Sequence, residues 1–156
     1  MTTLEARIGA AFPGPELGQI KDGTTYWRVT ADQVGQAIEF LAKHGCDRFL
    51  DLTAVDDPLA IERFDLQYLL YSMQDQRWFR LKARTAQAVP SIVATFPGAA
   101  FYEREVYDLF GVNFAGHPDL KRILLPDDWE GHPLRRDHPI GGEPIDFTVT
   151  REIYGT

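Results

Sequence analysis

The chain has 156 residues, a formal net charge of −7 and 44% hydrophobic side chains. That length suits one domain and that apolar share builds a core, so a disordered chain is excluded. The acidic balance repels phosphate backbones and anionic headgroups, which argues against direct nucleic-acid binding.

Cys46 is the single cysteine. It forms no intrachain disulfide, points to a reducing compartment and is too few thiolates to ligate an iron–sulfur cluster. The N-terminus lacks a basic start followed by an apolar run, so no signal peptide is expected. No stretch approaches the roughly 20 apolar residues of a spanning helix. The chain is expected to be soluble in itself, and to meet a membrane only through partners.

In chain order, residues 3–11 predict a short helix with Leu4, Ile8 and Ala11 on one face, ended by Pro13, Gly14 and Pro15. Residues 24–29 predict a strand of β-branched and aromatic residues. Thr30 caps a helix in which Val34, Ala37, Ile38 and Leu41 recur at helical spacing, with Lys43, His44 and Gly45 as its stop. Three strands follow, at 48–55, 63–72 and 78–84. In the second, Phe64, Leu66, Tyr68 and Leu70 share a face; in the third, Phe79, Leu81 and Ala83 oppose Arg80, Lys82 and Arg84, the mark of a sheet with one wet face. Short polar links, Asp56-Asp57-Pro58 among them, favour antiparallel neighbours and read as simple turns. A last helix spans about 99–110 and stops at Gly111.

These elements predict an α+β fold over residues 1–112, with a mixed or antiparallel sheet and helices packed on it. Residues 113–156 then read as an extended arm rich in proline and glycine. Its Leu120, Ile123, Leu124, Leu125, Trp129 and Leu134 would be wasted in a linker. Ordering the arm costs about 1–2 kcal/mol per residue in backbone entropy, so it has to pack against a larger body, either its own domain or another chain.

The run from Phe101 to Pro139, FYEREVYDLFGVNFAGHPDLKRILLPDDWEGHPLRRDHP, resembles the signature of the thirty-kilodalton subunit family of respiratory complex I, the NADH–quinone oxidoreductase. The run covers about a quarter of the chain without interruption. The resemblance implies a non-catalytic subunit of the peripheral arm of a proton-pumping complex, with NADH, flavin, iron–sulfur clusters and quinone held by other subunits. It implies packing against the quinone-site subunit and nearby iron–sulfur subunits, on the cytoplasmic side of a bacterial inner membrane or the matrix side of a mitochondrial one. An equivalent subunit of a membrane-bound hydrogenase or another quinone-linked dehydrogenase is the alternative. The sequence stops soon after Tyr154, so contacts of any long C-terminal tail are not carried over.

Within the motif, about 100° per residue places Tyr102, Val106, Leu109 and Phe110 on one stripe of the helix, with Glu105 beside it. Arg104 and Asp108 are expected on the outer side, four apart and able to pair. Phe101, flanked by Glu105 and Asp108, suits a basic partner surface. Glu105 and Asp108 share a face as an acid/base couple would, but no nucleophile or cofactor cradle accompanies them. His117 and His132 with Asp127 and Asp128 match no common zinc spacing, and their prolines favour shaped turns. Gly141-Gly142 is too little for a nucleotide loop. The residues expected at a partner interface are Phe101, Glu103, Arg104, Glu105, Asp108, His117, Arg122, Ile123, Leu124, Asp127, Asp128, Trp129, His132 and Arg135. Residues 115–140 are expected to dock through Trp129, Ile123, Leu124 and the Arg122 and Arg135 charges, with folding back on residues 1–112 as the competing arrangement.

Overall fold

The computed structural model describes residues 3–12 and 15–139. The Pro13-Gly14 stop and the Gly141-Gly142 pair lie outside the described residues.

Helix α1, Leu4–Ala11, is capped by the Thr3 hydroxyl, which accepts from the Ala6 amide. It buries Leu4 and Ile8, while Ala11, expected on the same face, is exposed. Strands β1, Glu16–Gln19, and β2, Thr25–Thr30, pair antiparallel. β1 was not legible in the sequence because Glu-Leu-Gly-Gln combines poor strand formers. The Tyr26 ring lies close over Gly18, 2.7 Å from where a β-carbon would stand.

After β2 the chain makes one tight 3₁₀ turn, Ala31–Gln33, before α2, Val34–Lys43. The helix expected directly from Thr30 thus starts one turn later. Thr30 is still the entry point, because its amide donates to Gln33 Oε1 at 3.3 Å. Strands β3 (Arg48–Asp56), β4 (Phe64–Ser72) and β5 (Arg77–Thr85) form a meander. The sheet order is β1-β2-β5-β4-β3, with β2 and β5 parallel and the other pairs antiparallel. This is the mixed sheet of an α+β fold.

Alternation along the strands drives one face into the core. Trp27, Phe64, Leu66, Tyr68, Leu70, Phe79, Leu81 and Ala83 are all buried there with Ile8, Ile38 and Leu41. Phe12 packs edge-on against Trp27 at 4.7 Å and Phe40 at 5.4 Å. Cys46 is buried in this core, where loss of water pushes its thiol up to about 12.

Helix α3, Ala99–Phe110, packs on β3, the sheet's edge strand. It is flanked by a small parallel pair, β6 (Ala88–Pro90) and β7 (Asn113–Ala115). The expected division at residue 112 therefore falls just before a strand that pairs with β6. Residues 116–139 carry no helix or strand.

Leu66 has no exposed surface. Leu66→Ala should cost about 2–5 kcal/mol in urea unfolding, as for a large-to-small change in a packed core. A loss below about 1 kcal/mol would contradict this packing.

Candidate functional site

The end of α3 sets the geometry of the arm. Gly111 stops the helix at φ 76°, and its amide bonds to the Tyr107 carbonyl at 2.8 Å. A helix end leaves its last carbonyls without intrahelical donors. Here the arm supplies them. His132 Nδ1 lies 2.8 Å from the Asp108 carbonyl, which can only accept, so Nδ1 carries the hydrogen. The Leu134 amide donates to the Leu109 carbonyl at 3.1 Å, and Arg135 Nε donates to the Phe110 carbonyl. Cations at this end also suit the negative pole of the helix. The fit is close: a β-carbon on Gly111 would overlap the Arg135 guanidinium and lie 2.5 Å from His132 Nε2.

Asp108 is the centre of this arrangement. Its side chain has no exposed surface. Oδ2 accepts from three successive arm amides, Ile123 at 3.0 Å, Leu124 at 2.8 Å and Leu125 at 3.0 Å. Oδ1 accepts from Arg122 Nη1 at 2.7 Å. Successive amides curled round one oxygen make an anion-binding nest. The other Arg122 nitrogen reaches on, donating to the Trp129 and Gly131 carbonyls at 3.0 Å each. Burial alone would raise the Asp108 carboxyl; the Leu125 amide, the Arg122 guanidinium and the Ile123 and Leu124 amides outweigh it and hold the group at about 2.

Along the rest of α3 the arm is fixed in the same manner. Arg104 does not pair with Asp108 as expected, because Asp108 turns inward to the nest. Arg104 instead donates to the Lys121 carbonyl at 3.0 Å and the Arg122 carbonyl at 2.8 Å. His117 Nε2 donates to the Ala100 carbonyl at 3.1 Å, and its Nδ1 accepts from the Asp119 amide at 3.0 Å. Both ring nitrogens of His117 are thereby used within the chain. Among the described residues, no three His, Cys, Asp or Glu side chains converge as a metal set.

A second buried carboxylate, Asp56, holds the arm further on, at residue 136. Arg63 grips it with Nε at 2.5 Å and Nη2 at 2.7 Å, and the Arg136 amide donates to it at 2.7 Å. Arg63 also pairs with Asp137 at 2.8 Å. The Arg63 hydrogen bonds, ahead of the opposing effect of burial, lower the Asp56 carboxyl. Asp56 is thus more than part of the simple turn expected at Asp56-Asp57-Pro58. Its signal was present: it follows Leu52 and Ala54 at period two on the buried face of β3.

The residues expected at an interface divide into two groups. Glu103 and Asp108 lie fully inside the chain; Glu103 accepts from the Ile92 amide at 2.7 Å and the Ser91 hydroxyl at 2.7 Å. Burial raises the Glu103 carboxyl despite those donors. Arg104, His117, Arg122, His132 and Arg135 are committed to the chain's own backbone. Pointing outward are Phe101 at 64% exposure, Leu124 at 59% and Ile123 at 36%, with Glu105, Asp127 and Asp128 also exposed; Leu134, not among those expected, joins them at 52%. Trp129 is half-buried, and its ring nitrogen makes no hydrogen bond. Arg122 and Arg135, expected to dock outward with Ile123 and Leu124, turn back instead, because the end of α3 offers a carboxylate and unpaired carbonyls.

Fold and site together define a helix-backed mixed-sheet domain with an arm clasped to its last helix. Residues 27–144 match the model of the family described as the respiratory-chain NADH dehydrogenase 30 kDa subunit, and the chain belongs to that family. A NADH-quinone oxidoreductase subunit from Parvibaculum lavamentivorans is 45% identical over 72% of this chain, which spans 58% of that relative's length. One from Roseiflexus castenholzii is 38% identical over 96% of this chain and 90% of its own. Among solved structures, one of the membrane-bound sulfane sulfur reductase, an archaeal respiratory membrane complex, superposes with a TM-score of 0.75 at 25% identity, over 96% of this chain and 88% of the other. A trypsin-resistant fragment of Nqo5 gives 0.65 at 26% identity, over 74% and 97%.

Because Asp108 sits below its ordinary value, its contribution to stability is fully present above about pH 4 and is lost as pH falls towards about 2. Asp108→Asn should remove that acid-sensitive part and cost about 3 kcal/mol at pH 7, since Arg122 is left without its partner and the nest without its anion. Urea unfolding of both forms between pH 2 and 7 checks this; parallel pH profiles would contradict the assignment.

Proposed function

We propose that this chain is a non-catalytic structural subunit in the peripheral arm of a proton-translocating NADH–quinone oxidoreductase. In this reading it supports electron transfer from NADH to quinone by packing against the quinone-site subunit and neighbouring iron–sulfur subunits. NADH, flavin, clusters and quinone belong to those other subunits. The chain sits at the membrane surface through the complex, on the cytoplasmic side in a bacterium. No described helix is long and apolar enough to cross a membrane.

The observation that carries the proposal is the combination of family membership with an arm whose Arg122, His132 and Arg135 are satisfied inward while Ile123, Leu124 and Leu134 stay exposed beside Phe101 of α3. Phe101, Ile123, Leu124 and Leu134 each offer about 1.5–3 kcal/mol on full burial, and a neighbouring subunit is the body that would bury them. Glu105, Asp127 and Asp128 would form a polar rim to such a contact. The likeness to the sulfane sulfur reductase complex supports a second reading, the equivalent place in a related membrane-bound hydrogenase or quinone-linked dehydrogenase.

Introducing Leu124→Asp with Phe101→Asp into the chromosomal copy should leave the isolated chain's Tm within about 2 °C, because more than half of each side chain already faces water. The same change should remove the assembled complex from native gels and abolish membrane NADH–quinone activity. A complex that assembles normally would contradict arm docking. Purification of the unaltered chain in a complex that reduces quinone from a donor other than NADH would favour the second reading.

A further inference from the structure

We propose that the helix-free face of the sheet is a second docking surface, for an acidic extended segment of a neighbouring subunit. The inference rests on the chain being a subunit of a larger complex, and adds a contact separate from the arm.

All three helices bury residues of the opposite face, so this one is left to solvent among the described residues, with Trp78 and Val55 each 48% exposed. Its middle is basic on a chain of net charge −7. Arg80, Lys82 and Arg84 follow at period two along the central strand β5, and in register Arg28 of β2 stands directly opposite Lys82. Like charges placed opposite one another across strands are destabilising. The fold keeps this opposition without neutralising it fully. Arg80 Nε and Arg28 Nη1 are buried donors with no hydrogen-bond acceptor. Lys82 Nζ rests over the Tyr26 ring, 4.5 Å from its centre.

Acids are present, but they sit to the sides. Asp65, opposite Arg84, lies 3.6 Å from Arg28 and leaves its own Oδ1 without a hydrogen bond. Glu16 pairs with Arg28 at the β1 edge, Asp57 stands 3.9 Å from Arg84, and Asp22 acts on Arg80 from the adjoining turn. Asp51 lies across the sheet on β3, paired with Leu69. Along β5, Lys82 forms no ion pair within 4 Å among the described residues and Arg84 keeps 39% of its side chain exposed, so the stripe still presents positive charge at its outer surface. An extended chain presents its own side chains to one side at the same period of two. Carboxylates at alternate positions of such a segment would meet Arg80, Lys82 and Arg84 in turn, with Trp78 and Tyr71, 5.0 Å apart ring to ring, as an apolar stop at one end.

The test uses the intact complex. A photo-crosslinking benzoylphenylalanine is placed at Trp78, and in a separate strain at Leu124 as a reporter of the arm. Crosslinked peptides are mapped by mass spectrometry. The expected result is that the Trp78 probe captures one neighbouring subunit at a segment where Asp and Glu outnumber Lys and Arg. The charge reversal R80E/K82E/R84E should lower that yield at least about tenfold while leaving the Leu124 crosslink intact, since like-charge juxtaposition across an interface costs several kcal/mol. R80Q/K82Q/R84Q, which adds no new charge, should lower it in the same direction and serves if the reversed form does not fold. No Trp78 crosslink, capture of a segment without acidic excess, or a yield indifferent to both variants would overturn the proposal. Loss of the Leu124 crosslink alone would count against the arm and leave the sheet face standing.

Discussion

The structure beyond α3 depends on one buried carboxylate. Asp108 gathers three consecutive amides and an arginine around itself, and this turns a proline-directed stretch with no regular structure into a fixed shape. A neutral acceptor would bind the same amides more weakly, because hydrogen bonds to an ionised group are shorter and roughly twice as strong. The charge can be buried because each oxygen is satisfied; without Arg122 and the nest, desolvation would favour the protonated acid. Fixing a segment in place is what lowers the entropy cost of presenting it to another surface.

The same logic recurs further along the arm. Asp56 and Arg63 tie the start of β4 to residues 136 and 137, and the guanidiniums of Arg63 and Arg135 lie 5.4 Å and 5.3 Å from the Phe64 ring centre. The described part of the arm is thus held at two places, residues 122–125 and 136–137, by groups that belong to the domain. Along it, Arg122 and Arg135 face inward while Ile123, Leu124 and Leu134 face out. For a member of the complex I thirty-kilodalton subunit family, that arrangement separates two tasks: polar groups set the arm's conformation, and apolar groups remain for contact.

Much of the fold was legible because period two and period 3.6 are strong signals when a buried face is clean. Phe64 to Leu70 and Phe79 to Ala83 announced β4 and β5, and Gly111 announced the end of α3. Strand β1 was not legible, since Glu16, Gly18 and Gln19 show no apolar alternation and only its backbone pairing with β2 defines it. The site was legible in extent but not in direction. The motif from Phe101 to Pro139 spans the residues that clasp the arm to α3, yet helical angles alone placed Asp108 outside beside Arg104. What reversed it lies 14 to 17 positions away, in Arg122 and the amides of Ile123, Leu124 and Leu125. Glu103 is the same case, since its donors come from Ser91 and Ile92, just after β6.

The claim that the arm is clasped by its own domain is tested most directly by hydrogen exchange in the isolated full chain. The amides of Ile123, Leu124 and Leu125 have no place in a helix or sheet, so any protection they show reports the Asp108 nest. The account predicts that they exchange much more slowly than free peptide, and that this slowing disappears in Asp108→Asn. Exchange at free-peptide rates in the unaltered chain would mean that the arm is ordered only by its partners.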